Sequence, residues 1–310
     1  MLRNCLVLGG GGFIGANLVK ELIKNGYFVK VFDQKNFSRK NLQEFSNQIE
    51  IIEGDFSNSS DLIKAIDSVD YVFHLISTTL PSTSLENIVY DIESNVIPSI
   101  QFLKICHEVK VKKVIFISSG GTIYGIPKFL PIPENHPIRP ITSYGIVKST
   151  IESYLELYRN LWGLDCCIFR LSNPYGEKQN PKGIQGIIPV LLHKAINNEE
   201  LEIWGDGEVI RDYIHIEDVV NVLVKSIQQN TPEVIYNLGS GVGTSINQLI
   251  SIVRNSINPD LCVKYLDNRS FDVPANVLDI SLLKYRFSFN EKLSLEDGIL
   301  KLYKYLLNTI

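Results

Sequence analysis

The chain has 310 residues, 45% of them hydrophobic and 21% charged, with a formal net charge of -4 at pH 7. That length buries a large core, as one long α/β domain or one and a half, and the composition is that of an ordinary soluble globule. The weak negative charge comes without a Lys/Arg cluster, which excludes the electrostatic footprint of a nucleic-acid partner, and no apolar run is long enough to span a bilayer.

The first element is the apolar run Cys5 to Leu8, of strand character, which breaks into Gly9, Gly10, Gly11 and Gly12 and restarts at helical spacing from Phe13 and Ile14. Gly9, Gly12 and Gly15 stand three apart, a GxxGxxG variant of the dinucleotide fingerprint. The first glycine permits the tight turn, the second lets backbone approach a pyrophosphate, and the third lets the helix pack closely on the sheet. The helix start then offers free N–H groups and a positive dipole end to phosphate. The competing reading is a glycine-rich hairpin, but strand before and amphipathic helix after favour a nucleotide. The next strand, 28–32, ends at Asp33, whose carboxylate suits an adenosine ribose diol and repels a 2′-phosphate. NAD is therefore the expected cofactor rather than NADP, with Lys35 and Arg39 close enough to soften the preference.

Strand and helix patterns go on alternating, which predicts βαβ units and a parallel sheet. Ile49–Glu53 reads as a strand, followed by Gly54, Asp55 and Phe56 and a helix over Ser59–Ile66. Asp55 stands where adenine would lie, or is a carboxylate at the helix approach; position alone does not separate the two. Strand 71–75 contains His74, read as a core histidine, and leads to the loop Ile76, Ser77, Thr78 and Thr79 beneath the expected cofactor. A long helix is expected over 88–110, kinked or broken at Pro98, with Asn95 placed to face the site. Strand 114–117 leads into Ser118, Ser119, Gly120, Gly121 and Thr122. After a proline-rich loop comes the helix Ser143–Trp162, and the strand Cys166–Leu171 closes the nucleotide half. Shorter, mixed elements follow, as expected for a substrate-holding cap interleaved with the main domain. The predicted fold is thus a Rossmann-type doubly wound parallel sheet over 1–172, rejoined by a strand and helix from about 209–240, with a smaller cap over 173–310. Cys5, Cys106, Cys166, Cys167 and Cys262 show no metal-ligand spacing and read as free thiols of a reducing compartment, so no metal is expected. With strand-like sequence beginning at once, there is no room for a signal peptide, and a cytoplasmic location is expected.

The second decisive stretch is Tyr144 to Lys148. Four residues apart on a helix, phenol and ammonium share a face. A free phenol titrates near pH ~10, so a working base needs on the order of 4 kcal/mol of preferential anion stabilisation. A neighbouring lysine and a positive nicotinamide ring supply much of that.

Over nearly its whole length the chain resembles the extended short-chain dehydrogenase/reductase family, in the nucleotide-sugar branch around UDP-glucose 4-epimerase. The resemblance rests on GxxGxxG, Asp33, Gly54-Asp55, the 118–125 segment, Tyr144/Lys148, Asn173-Pro174, Trp204 to Gly207, Arg211 to His215, and Arg269 with Asp272-Val273-Pro274. It implies NAD held by Gly9, Gly12, Phe13, Ile14, Gly15, Asp33, Asp55, Phe56, Leu75, Asn95, Tyr144 and Lys148. It implies Tyr144 as acid/base, with Lys148 lowering its pKa and holding the nicotinamide ribose. Asn173, Arg211 and Arg269 are matched to residues that grip the substrate diphosphate, a task suited to a planar cationic fork. Asp272 and Trp204 are further substrate residues, Trp204 as a wall of the base pocket. The plainer alternatives are an Arg211 ion pair with Asp212 or Glu208, and a Trp204 that only plugs a strand edge. The sequence departs from the family at Gly120, where a Ser or Thr usually bonds the reacting hydroxyl, so Ser119 or Thr122 is expected to take that role. At the position that gates substrate size stands Asn276, which suits an N-acetylated sugar.

The expected activity is 4-epimerisation of a UDP-hexose or UDP-N-acetylhexosamine through a transient 4-keto sugar. The alternatives are an NAD(P)H-dependent 4-keto-reductase of a dTDP-linked or other 6-deoxy sugar and, from another class, a non-catalytic dinucleotide sensor. A 4,6-dehydratase is disfavoured because Gly120-Gly121-Thr122 carries no carboxylate. The family also implies a homodimer through a four-helix bundle of helices 88–110 and Ser143–Trp162, with Ile100, Leu103, Leu155 and Leu157 as apolar positions.

Overall fold

A computed structural model describes residues 3–183, 185–229, 232–267 and 273–309. The chain divides into two compact units. The first comprises Met1–Gly125, Pro137–Arg170 and Val220–Tyr236; the second comprises Ile126–His136, Leu171–Val219 and Asn237–Ile310.

The first unit is built on the strands β1 (Asn4–Leu8), β2 (Phe28–Asp33), β3 (Ile49–Glu53), β4 (Tyr71–His74), β5 (Lys113–Ser119) and β6 (Cys166–Leu171). With β10 (Ile235–Leu238) they form a seven-stranded sheet in the order β10-β6-β5-β4-β1-β2-β3, parallel from β5 through β4, β1 and β2 to β3. β1 is flanked by β2 on one side and β4 on the other, so the winding reverses there, the place where doubly wound sheets open a crevice for ligands. This is the Rossmann-type sheet the alternation predicts. The apolar strand runs are buried, with β4 and β6 buried at every position, because helices cover both faces of a parallel sheet. Cys166 and Cys167, on opposite faces of β6, are accordingly both buried.

The helices are α1 (Phe13–Lys24), α2 (Ser59–Ile66), α3 (Ile88–Asp91), α4 (Ile97–Glu108), α5 (Ser143–Trp162) and α7 (Ile216–Gln228), the last entering this unit at Val220. The expected 88–110 helix is interrupted upstream of its proline. A π turn over Ile92–Val96 joins α3 to α4 and leaves Pro98 in the opening turn of α4, where a missing N–H costs least. α5 starts at Thr142, whose hydroxyl accepts from the Gly145 amide at 3.2 Å, and ends on Gly163 at φ 67°. Its buried stripe runs Val147, Ile151, Leu155 and Tyr158, and the same face carries Lys148 and Glu152.

In the second unit β9 (Ile210–His215) is paired with β7 (Asn173–Tyr175), β11 (Gly243–Ser245) and β13 (Ala275–Asn276), while β8 (Leu201–Trp204) pairs with β12 (Val263–Leu266). Of the 209–240 stretch expected to return to the large sheet, β9 thus lies in this smaller one, and the strand that joins the large sheet is β10. The helices α6 (Ile187–Asn197), α8 (Ile246–Ser256), α9 (Ser281–Phe287) and α10 (Leu295–Leu307) complete it. Leu191, Leu192, Leu249, Val253, Ile299 and Leu302 form a core separate from that of the first unit.

Candidate active site

In the first unit the site begins where β1 ends. Gly9 takes φ +80°, a conformation that side chains resist, and its amide donates to the Phe32 carbonyl at 2.8 Å. A Cβ on Gly15 would stand 2.3 Å from the Gly9 carbonyl oxygen, so only glycine lets α1 come this close to the turn. α1 opens on Gly12 with no side-chain cap and no acid in its first turn, leaving its leading N–H groups and dipole for an anion. Beside this turn lies a cavity of about 910 Å3. Gly9, Gly12, Asp33, Asp55, Phe56 and Leu75 line it. Phe13, Ile14 and Gly15 stand behind the wall in α1. Asn95 is one step back as well: its Oδ1 accepts from the Thr78 amide at 2.9 Å, and it thereby braces wall residue Thr78.

Asp33 accepts from the Gly11 amide and from its neighbour Gln34's amide, both at 2.9 Å. These donors pull its pKa down, while burial, the larger effect, raises it. Arg39 is engaged by Glu53, with Nη2 2.5 Å from Oε1, and Lys35 acts on Asp55. The cavity, the capless helix start and the pinned acid fit a dinucleotide with a free ribose diol.

Tyr144, half-buried, and Lys148, buried, lie on α5 outside that cavity's wall. Lys148 is 4% exposed, donates to the Ile117 carbonyl at 3.0 Å, and sits 5.6 Å from the centre of the Tyr144 ring. Burial lowers its pKa to about 8, against the nearby carboxylates of Glu152 and Asp91. Burial pushes Tyr144 up to about 12 and Asp91 adds to the rise, while the Ser77 hydroxyl, on the cavity wall, favours the phenolate. Desolvation thus outweighs the Ser77 hydrogen bond.

At the end of β5, Ser118 and Thr122 each bury a hydroxyl oxygen without a hydrogen-bond partner, and Ser119 is half-buried. His74 is fully enclosed, meets the Ser99 hydroxyl at 2.9 Å and is held down to about 3 by burial, so it is a neutral core histidine, as expected. Deeper still, Arg170 and Glu152, each 2% exposed, pair at 2.7 Å, and Arg170 also donates to the Tyr124 hydroxyl at 3.0 Å.

In the second unit a cavity of about 290 Å3 is lined by Asn173, Trp204 and Arg211, with Glu202, Tyr213 and Ile187. Asn173 donates to the Asp212 carbonyl at 3.0 Å, and Arg211 Nη1 to the carbonyls of Ile210 and Val273 at 2.9 and 2.7 Å. The Asp212 carboxylate is taken by the amides of Ser240, Gly241 and Leu278 and the Ser240 hydroxyl. Trp204, 45% exposed, is therefore a cavity wall and not an edge plug. Asn276 is buried in β13, in register with Arg211, and does not line the cavity. Arg269 and Asp272 fall outside the described residues. Among the described residues no group of acids, cysteines or histidines forms a metal site.

Sequence reading missed Asp91. The signal for Asp91 was its place four residues before Asn95 on one helical face.

A parallel sheet with a winding reversal, a glycine turn into a capless helix and a YxxxK pair on α5 together define a dinucleotide-dependent enzyme of the short-chain dehydrogenase/reductase type. The profile of the family described as "NAD dependent epimerase/dehydratase family" matches residues 5–239, and the chain belongs to that family. A crystal structure of UDP-glucose 4-epimerase from Thermotoga maritima with UDP-glucose superposes with a TM-score of 0.94 at 33% identity, covering 99% of each chain. A UDP-N-acetylglucosamine 4-epimerase from Methanobrevibacter ruminantium M1 also gives 0.94, at 29% identity, over 100% of this chain and 99% of that one. A dTDP-4-dehydro-6-deoxyglucose reductase from Escherichia coli is 33% identical over 307 residues, 96% of each chain. NAD is the cofactor of this family. No helix of the described residues is long and apolar enough to cross a membrane.

Proposed function

We propose that the protein is a UDP-sugar 4-epimerase that keeps NAD bound through its cycle. The observation that carries this is the half-buried Tyr144 beside the buried Lys148 on α5, with Ser77 joining the phenol to the wall of a dinucleotide-sized cavity. Gly9, Gly12 and the start of α1 take the pyrophosphate, Asp33 the adenosine ribose, and Asp55, Phe56 and Leu75 the rest of the wall. Bound there, NAD would supply the hydride acceptor for C4 of the sugar and the donor that returns the hydride to the other face of the keto sugar. Tyr144 accepts the O4 proton and later returns it. Lys148, mostly charged at neutral pH, biases that exchange toward the phenolate and takes the nicotinamide ribose. Ser119 or Thr122 bonds the reacting hydroxyl in place of the side chain missing at Gly120. Asn173, Arg211 and Arg269 hold the diphosphate, Asp272 assists, and Trp204 walls the base, so that the sugar ring turns without leaving. Asn276 acts on sugar size through β13.

NAD-loaded protein given UDP-glucose, UDP-galactose and their N-acetyl forms is expected to interconvert one pair, read by anion-exchange chromatography. Absence of any interconversion sinks the proposal. One observation favours a second reading: the Escherichia coli reductase relative, taken with Gly120. Net NADH or NADPH consumption with a 4-keto sugar nucleotide identifies that reaction, since an epimerase shows no net redox change.

A homodimer through α3, α4 and α5 is supported by Val89, Ile92, Ile146, Leu157 and Leu161, each 41–64% exposed. Leu103 and Leu155, expected at that face, instead fill the unit's own core. Charging one position, Leu157→Glu, is expected to give monomer in sedimentation. A cytoplasmic site of action is in keeping with the free thiols.

A further inference from the structure

Asp91 is fully buried at the end of α3, where the π turn begins. Three side chains from separate segments donate to it. Thr79, in the loop after β4, reaches Oδ1 at 2.5 Å; Asn95, one turn on, reaches Oδ1 at 3.0 Å; Ser143, the first residue of α5, reaches Oδ2 at 2.6 Å. The first two belong to the support of the cavity wall, since Asn95 also holds Thr78 and Ser77 donates to the Thr79 carbonyl at 3.0 Å. The third precedes Tyr144 directly.

Tethering alone does not explain a carboxylate here. A neutral amide would hold the hydroxyls, which rotate to donate or accept, at a smaller desolvation cost. The charge itself acts on both reactive groups in the same sense, keeping the proton on Lys148 and on Tyr144. Of the other charged and titratable groups packed around them, Glu152 on α5 also supports the Lys148 charge but is paired with Arg170 from β6, and His74 from β4 is neutral.

We propose that Asp91 is a positioning residue for the reaction, fixing the start of α5 against the cavity wall and supplying the negative charge that balances the Lys148 ammonium at the Tyr144 phenol. This rests on the epimerase reading for its purpose. A phenol that must take a proton from O4 and then return it needs a field that does not trap it as phenolate. Lys148 pulls toward the base form and Asp91 toward the acid form.

The test is Asp91→Asn, read first by NMR of protein carrying 13Cε-labelled lysine, with the Lys148 resonance assigned by Lys148→Arg. Its titration midpoint is expected to fall by about half a pH unit or more in Asp91→Asn and to stay in place in Ser143→Ala, which keeps the charge. Both limbs of the kcat/KM profile are expected to move to lower pH in Asp91→Asn, whereas Ser143→Ala lowers kcat at unchanged KM and leaves the limbs where they were. An unmoved Lys148 midpoint in folded Asp91→Asn overturns the proposal. If that variant does not fold, Ser143→Ala and Thr79→Val decide, and unchanged kcat in both overturns it. The NMR midpoint needs no substrate, so a protein without epimerase turnover would refute the proposed function while still deciding the role of Asp91.

Discussion

The phenol of Tyr144 carries the heaviest demand in the molecule, because burial pushes its pKa up to about 12. Removing its hydroxyl in Tyr144→Phe is expected to lower kcat by about 10²–10⁴-fold, the range typical of general acid–base groups, with NAD binding retained by fluorescence titration. The buried Arg170–Glu152 pair gives a stability prediction at the same scale. Glu152→Ala strands a guanidinium in the core and is expected to cost about 3–5 kcal/mol in urea unfolding. Candidate site residues were legible wherever spacing carries the chemistry, as with Gly9, Gly12, Asp33, Tyr144 and Lys148. Asp91 was not, because its donors meet only when three segments fold together.

Elements were the most legible scale. Ile49–Glu53, Ser59–Ile66, Ser143–Trp162 and Cys166–Leu171 fall at the positions read from periodicity, because buried strands and amphipathic helices write their period directly into the chain. The interruption at Pro98 was visible, but not its form, since a π turn shifts the register by one residue without any residue type announcing it. The turn from β1 into α1 depends on atoms too close for any side chain. Gly15→Ala is expected to weaken NAD binding at least tenfold in calorimetry, as its Cβ forces α1 away from the Gly9 carbonyl.

For the molecule as a whole, the interleaving of the units has a measurable consequence. The first unit is completed by Val220–Tyr236, and Lys113 buries its ammonium against the carbonyls of Ser226 and Gln229 at 3.1 and 3.0 Å. A fragment ending at residue 172 lacks those partners and leaves β6 without β10, so it is expected to aggregate on expression. The pairing of β9 within the small sheet was beyond sequence reading, since a six-residue strand looks the same in either sheet. Global stability should also report the enclosed His74. Its folded pKa of about 3 lies below the ordinary value near 6.5, so the unfolded chain binds the extra proton between them. Stability is therefore expected to fall as pH drops below about 6.5, by up to about 1.4 kcal/mol per pH unit from this group, and His74→Gln should flatten that slope in denaturant titrations.

The two amides that hold Asp33 leave half of its acceptor sites open and take away its freedom to swing aside. Discrimination against a phosphorylated ribose is then a matter of fixed architecture: an incoming phosphate meets a charge that cannot retreat, beside an arginine already spoken for by Glu53. Converting the protein to the phosphorylated dinucleotide accordingly requires two edits at once, removal of the acid and release of Arg39, and either change made singly should gain little.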